Sequence, residues 1–189
     1  SGPDGTSPFS FVWVAVQRKN GQQWEQVGFT ATYFDGIYNV GGLPPGTYRV
    51  EFRDGNDRLY AYQAYANASD LASATDIVVT EATTIAGIDA SLGTASKISG
   101  MVTGPDGTTP LSGINAEVFK WNGTGWNYWG MDFMSSSSAS GPDGTYTIDG
   151  LSAGTYRVVF ADIRNHRYVP EFYDGAPDLE SSADIVVSA

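Results

Sequence analysis

The chain repeats itself. Gly2-Pro-Asp-Gly-Thr-Ser-Pro8 returns as Gly104-Pro-Asp-Gly-Thr-Thr-Pro110, and Asn20-Gly21-x-x-Trp24 returns as Asn122-Gly123-x-x-Trp126, both shifted by 102 residues. Further on, Asp35-Gly-x-Tyr38 and Gly46-Thr-Tyr-Arg-Val-x-Phe52 return as Asp143-Gly-x-Tyr146 and Gly154-Thr-Tyr-Arg-Val-x-Phe160 with a shift of 108. The polar stretch Ser135-Ser-Ser-Ser-Ala-Ser140 is expected to absorb the difference, because surface loops tolerate insertion. A period near one hundred residues is a whole domain, far longer than a solenoid repeat. The expectation is therefore two homologous domains, 1–94 and 95–189, joined at Gly93-Thr-Ala-Ser96.

The pattern inside each copy is that of strands. Val12, Val14 and Val16 match Ile114, Ala116 and Val118, and alternation at period two predicts a half-buried strand with these residues inward. Phe11, Trp13 and Ala15 hold the opposite, outward parity. Asn20-Gly21 and Asn122-Gly123 predict two-residue hairpin turns, since both residue types tolerate positive φ. Tyr38/Val40 and Tyr146/Ile148 predict the next strand, and Tyr48, Val50 and Phe52 with Tyr156, Val158 and Phe160 the one after. Leu59–Tyr65 and Tyr168–Tyr173 read as a further strand. Asp70–Ala74 and Asp178–Ser182 read as single helical turns, and Ile77–Val79 and Ile185–Val187 as strands. About seven strands per intact copy is the content of a β-sandwich.

Each copy lacks a strand that its sister has. Lys97-Ile-Ser-Gly-Met-Val-Thr103 has no counterpart ahead of Ser1, and the strand-like Thr84–Leu92 has none after Ala189. The expectation is a first repeat short of its first strand and a second short of its last, cut from a longer array with flanking domains. Unpaired sheet edges recruit other chains, so strand complementation between molecules is expected as well.

Charge narrows the partners. Ten Lys and Arg against 21 Asp and Glu give a net charge of −11, spread evenly over both copies. Phosphate backbones and anionic membrane surfaces both require basic side chains, so neither nucleic acid nor a membrane surface is an expected partner. No run approaches the roughly 18 apolar residues of a membrane span. There is no cysteine, so disulfides, thiol catalysis and thiolate metal sites are excluded. Cysteine-free, acidic, Thr/Ser/Gly-rich β-repeats are associated with secreted and cell-surface bacterial proteins.

The run Asp143-Gly-Thr-Tyr-Thr-Ile-Asp-Gly-Leu-Ser-Ala-Gly-Thr-Tyr-Arg-Val158 and its copy Asp35–Val50 resemble the signature of the carboxypeptidase regulatory-like and Cna-B-like group. The resemblance covers nearly the whole chain and implies an all-β protein of two tandem transthyretin-like β-sandwiches. It implies stalks, spacers, adhesin repeats or accessory modules of secreted enzymes rather than one activity. The fold is also similar to some starch-binding domains. In some Cna-B-like domains a Lys is crosslinked to an Asn or Asp beside a buried acid. That pattern maps here onto Lys97 with Glu171 as the acid, and onto Asp89 in the first copy, and it is incomplete in both copies.

Residues that could carry chemistry are few. His166 is the lone histidine, without a partner in sequence, and no nucleophile elbow, zinc triad or phosphate loop accompanies it. The expected protein is not an enzyme. Acidic turns are candidate calcium ligands, the best being Asp54, Asn56 and Asp57, with Asp4, Asp106 and Asp143 in Gly-Pro-Asp-Gly turns. The alternative is turn chemistry, with Asp bonding nearby backbone. Trp24 and Trp126 recur in both copies and are expected to be structural. Phe119, Trp121, Tyr128 and Trp129 occur in the second copy only, on one hairpin, and form a candidate glycan- or protein-binding face. The leading functional expectation is a structural and adhesive extracellular module. The alternatives are an accessory carbohydrate-binding module and a calcium-stabilised linker.

Overall fold

The computed structural model describes residues 1–2, 7–128 and 137–188. The protein is all-β, and every strand pair is antiparallel. It divides into two compact units, Ser1–Ala95 and Ser96–Ala189.

The first unit holds β1 (Val12–Asn20), β2 (Gln23–Ala31), β3 (Gly46–Asp54), β4 (Gln63–Ala64) and β5 (Ile77–Val79). They form one sheet in the order β2-β1-β3-β4, with β5 also on β3. The second unit holds β6 (Ser96–Met101), β7 (Asn115–Trp121), β8 (Trp126–Tyr128), β9 (Ser137–Ala139), β10 (Thr145–Leu151), β11 (Gly154–Ala161), β12 (Glu171–Phe172) and β13 (Ile185–Val187). Its main sheet runs β12-β11-β7-β8, with β13 on β11 and β9 on β7, and β10 pairs with β6 in a second sheet. A single 3-10 turn, Tyr173–Gly175, follows β12.

The main sheets agree pair by pair. Trp13 faces Ala31 as Asn115 faces Ala139, and Lys19 faces Trp24 as Trp121 faces Trp126. Val50 faces Val16 as Val158 faces Val118. Thr32 and Ser140 make the same latch: Thr32 Oγ1 accepts from Val12 N and donates to Phe9 O, while Ser140 Oγ accepts from Ile114 N and donates to Leu111 O. Ser137–Ser140 already keeps the 108-residue shift, so the six extra residues fall between Tyr128 and Ser137, earlier than the serine run suggests.

The inward parity expected for the long strands holds. Val14, Val118, Val158 and Tyr156 are fully buried, and Val12, Val16, Tyr48, Val50 and Phe52 nearly so. Each such side chain contributes about 1.5–3 kcal/mol through burial. Both central tyrosines satisfy their hydroxyls locally: Tyr156 Oη donates to Ser152 O at 2.8 Å and Tyr48 Oη to Pro44 O. Burial pushes the Tyr156 hydroxyl up to about 12, and the Ser152 bonds oppose it.

Four local expectations are corrected. The first hairpin turns at Gly21-Gln22, because Asn20 pairs with Gln23, and Gly21 alone supplies a positive φ of 62°. The second hairpin has a four-residue loop, because Asn122 Oδ1 accepts from Thr124 N, Thr124 Oγ1 and Gly125 N and so caps a wider turn. The strands expected over Leu59–Tyr65 and Tyr168–Tyr173 shrink to the two-residue β4 and β12. The strands expected at Tyr38/Val40 and over Thr84–Leu92 do not form, although β10 is the sequence counterpart of the first segment, Tyr38–Leu43. Both lie against the core through Tyr38, Val40, Leu43, Ile88, Ala90 and the fully covered Leu92.

Turns are held by carboxylates accepting backbone N–H groups. A bond from the Thr109 hydroxyl, followed by the Thr109 and Thr108 amides, holds Asp106 down to about 2, below its ordinary value of 3.8. Asp143 and Asp178 are lowered in the same way by Thr145 and Ser181, and Asp162 by the amides of Asn165 and Arg167. A carboxyl whose folded-state pKa is depressed stabilises the fold above its unfolded value, and that stabilisation is lost as pH falls towards the folded value. The melting temperature of the second unit should therefore be flat down to about pH 4 and fall between pH 4 and pH 2. Asp106→Asn and Asp143→Asn should flatten that fall. A melting temperature constant from pH 5 to pH 2 would show that these turns carry no linked stability.

Candidate functional site

The outward face of the second unit's main sheet is aromatic. Phe119 and Trp121 project from β7 on the parity opposite Ala116 and Val118, and they meet Tyr128 and Trp126 across the β7–β8 pair. Ring centroids lie 5.5 Å apart for Phe119–Tyr128 and 5.2 Å for Trp121–Trp126, with the planes tilted near 60°. Trp121 is 41% exposed, while Phe119, Trp126 and Tyr128 are half-buried. Burial and the adjoining Glu117 carboxylate push the Tyr128 hydroxyl up. The structure thus brings together three of the four aromatic residues singled out in the sequence, and Trp129 lies outside the described residues.

Trp126 is covered by a clamp that recurs in the first unit. The Arg157 guanidinium sits 4.2 Å from the Trp126 ring centroid. Its Nε donates to Asp184 Oδ1 at 2.7 Å, and its Nη1 donates to Leu179 O and Glu180 O. In the first unit Arg49 lies 4.4 Å over Trp24, with Nε on Asp76 and Nη1 on Leu71 O and Ala72 O. One planar cation thereby ties the hairpin tryptophan, the central strand, the loop before the last strand and the residue that enters that strand. The planar fork of Arg suits this; a Lys would reach one partner at a time. The signal in the sequence was the shared Arg of Gly-Thr-Tyr-Arg-Val together with Asp76 and Asp184, which hold equivalent positions.

The first unit carries a more exposed aromatic surface that the sequence reading missed. Phe34 is 84% exposed and Tyr33 70%, with Phe11 and Phe29 about half exposed. Phe11 meets Phe34 edge-on at 5.8 Å, and Trp13 meets Phe29 at 5.7 Å. Their counterparts are Gly113, Pro142, Asn115 and Ser137. Difference between copies, the signal that singled out the second hairpin, was sufficient to find this surface too.

The acidic turn at Asp54 gathers its three residues, and both Asp54 oxygens are engaged by backbone amides. Asp54 Oδ1 accepts from Asn56 N, and Oδ2 accepts from Leu59 N and Tyr60 N. Asn56 Nδ2 donates to Asp57 Oδ2 at 3.0 Å. Asp162 repeats the Asp54 role in the second unit. Among the described residues no group of three or more His, Cys, Asp or Glu side chains is placed to share a metal ion. Asp106 and Asp143 cap their own turns, and Asp4 lies outside the described residues.

Lys97 is half exposed on β6, with Nζ 2.9 Å from Asp149 Oδ1. Glu171 is exposed on β12, in the other sheet of the unit. His166 is exposed in a loop at φ 52°, with its backbone N–H bound to Asp162 O.

No protein-family model matches the chain, and no curated protein matches it. Two solved structures resemble it. A streptococcal ancillary pilin is 17% identical with a TM-score of 0.36, covering 96% of this chain and 54% of the pilin. GBS52, the minor pilin of Streptococcus agalactiae, is 15% identical with a TM-score of 0.29, covering 96% and 78%. The chain spans about half the length of the first of these.

The clamp predicts a matched pair of effects. Arg157→Ala removes two carbonyl bonds, an ion pair with a half-exposed Asp and the Trp126 contact, and should cost about 2–3 kcal/mol in urea unfolding of the second unit. Arg49→Ala should cost the first unit a similar amount. A loss below about 0.5 kcal/mol, the level of an ordinary surface substitution, would reduce the clamp to decoration.

Proposed function

We propose that this chain is a non-catalytic extracellular module in which a shared β-frame spaces and presents unit-specific aromatic contact surfaces. One observation carries the reading. The frame contacts recur in both units, namely the Arg–Trp–Asp clamp, the hydroxyl latch and the turn carboxylates, while the exposed aromatics differ. Exposed aromatic clusters on a rigid sheet are contact surfaces in search of a partner. Phe11, Phe29, Tyr33 and Phe34 form one in the first unit, and Phe119, Trp121 and Tyr128 form one in the second. Placement in a secreted or cell-surface bacterial protein, with flanking domains on the same polypeptide, completes the proposal. Its support is compositional: no cysteine, a net charge of −11 and hydroxyl-rich turns.

A second reading, carbohydrate binding, is favoured by the exposed indole of Trp121 beside Trp126 on an open sheet face. Sugar rings stack on such faces through their apolar C–H surfaces.

Adhesion arrays separate the two. Beads bearing the chain should bind immobilised extracellular proteins, and Phe34→Ala or Trp121→Ala should lower retention at least threefold while shifting the melting temperature by less than about 2 °C. Retention on α- or β-glucans lost with Trp121→Ala alone would select the carbohydrate reading. Retention unchanged in both variants, or turnover of any arrayed ligand, would overturn the proposal.

A further inference from the structure

One residue of the first unit's aromatic surface is held against its backbone preference. Phe11 stands at φ 60°, in the left-handed region. A side chain is crowded there, and glycine is the residue that enters it freely. The second unit keeps glycine at this point, Gly113 at φ 79°. Burial does not offset the strain, because Phe11 stays 53% exposed.

The corner around Phe11 is built to hold that conformation. Phe11 N donates to Thr32 O at 3.1 Å, and Gly55 N donates to Phe11 O at 3.0 Å. The Thr32 hydroxyl fixes Val12 and Phe9 on either side. Gly55 lies against the Trp13 indole, with no room for a Cβ between them. The Phe11 ring is thereby set edge-on to Phe34 at 5.8 Å. Phe34 stands on a turn closed by Tyr33 N donating to Ile37 O. Strain of this kind persists where the surroundings over-determine it, and it collects at contact sites.

Charge selects the occupant. Asp35 is exposed, next to Phe34 in the chain, with Oδ1 accepting from Ile37 N. Asp57 is exposed on the loop that carries Gly55, with Oδ2 accepting from Asn56 Nδ2. Arg53 faces Trp13 across β1–β3 but lies 4.7 Å over the Tyr62 ring, beside Glu51, and Arg58 is half-buried. The chain as a whole carries a net charge of −11. Aromatic faces attract cations, and an acidic surface concentrates them. A guanidinium meets both demands, because it stacks on rings and forks onto carboxylates.

We infer that this corner docks an arginine-bearing segment of a partner protein. Its guanidinium groups lie over the Phe11 and Phe34 rings and pair with Asp35 and Asp57. Phe11 is the anchor, and Gly113 leaves the second unit without one. The inference rests on the contact-surface reading and names the chemistry of the partner.

The probe is an acetylated, amidated pentapeptide of alternating arginine and glycine, titrated into the full chain and read by backbone amide shifts. Amides at 11, 33–35 and 55–57 should shift saturably, and the matching glutamate peptide should leave them unmoved. Phe11→Gly should weaken binding at least about threefold, the scale of one exposed cation–π contact. It should also raise the melting temperature of the first unit by at least about 2 °C, because the strain is gone. Phe11→Ala, which keeps a Cβ in the left-handed backbone, should weaken binding equally without that rise. Asp35→Asn combined with Asp57→Asn should weaken it as well. No saturable shift with millimolar peptide, equal shifts spread over both units, or unchanged affinity in Phe11→Gly would overturn the inference. A lower melting temperature in Phe11→Gly would do the same, by making Phe11 a packing residue. Adhesion lost in Phe34→Ala while the peptide leaves the corner unmoved would overturn this inference alone and leave the contact-surface reading standing.

Discussion

Backbone pairing along β1–β3 and β7–β11 is the constraint on which the rest of each unit depends. These strands are long, central and apolar on one side, so their ladder bonds and their burial reinforce one another. With β2, β8 and β9 paired on their other edge, they fix the register that brings Thr32 under Val12, Ser140 under Ile114, and the two arginines over their tryptophans. Each of those contacts joins residues far apart in the chain, so none forms without the ladder. The short strands β4 and β5 pair with β3, and β12 and β13 with β11, so each rests on a central strand.

The same ladder explains how two units of one design come to differ. Inward positions have conserved roles because a core tolerates little change in volume. Outward positions keep the Arg–Trp–Asp clamp in both units and otherwise differ between them. On the outward side of β3 the first unit places a polar group, with Tyr62 Oη donating to a buried Glu51 and Arg53 over the Tyr62 ring. The second unit has Val159 and Ala161 at the positions of Glu51 and Arg53, and Phe119 faces Arg157 on that side. The two units therefore differ most on the outward surfaces, where their aromatic residues are not the same.

Much of this was legible in the sequence, and the failures have physical causes. Period-two alternation located the buried faces of β1, β3, β7 and β11, because those strands are flanked on both sides. The recurrence of Trp24 and Trp126 marked them as structural, although Trp126 is half-buried rather than buried because an arginine covers one face and leaves the rest open. The turn at Asn122 was misjudged because Asn can cap a loop with its side chain as readily as enter a turn with its backbone. In the acidic turns, composition does not reveal that Asp54 accepts from its own backbone, which the structure shows. Tyr38/Val40 and Thr84–Leu92 were read as strands because propensity is local, whereas being a strand requires a neighbour to pair with.

That last point is the central claim: the partner, rather than the local sequence, decides whether this segment is a strand. Exchanging Ile37–Leu43 with Thr145–Leu151 and reading backbone chemical shifts tests it directly. The account predicts that the second unit keeps a strand at 145–151 with the foreign sequence, while 37–43 stays unpaired despite carrying the sequence of β10. A strand at 37–43 in the exchanged chain, or its loss at 145–151, would contradict it.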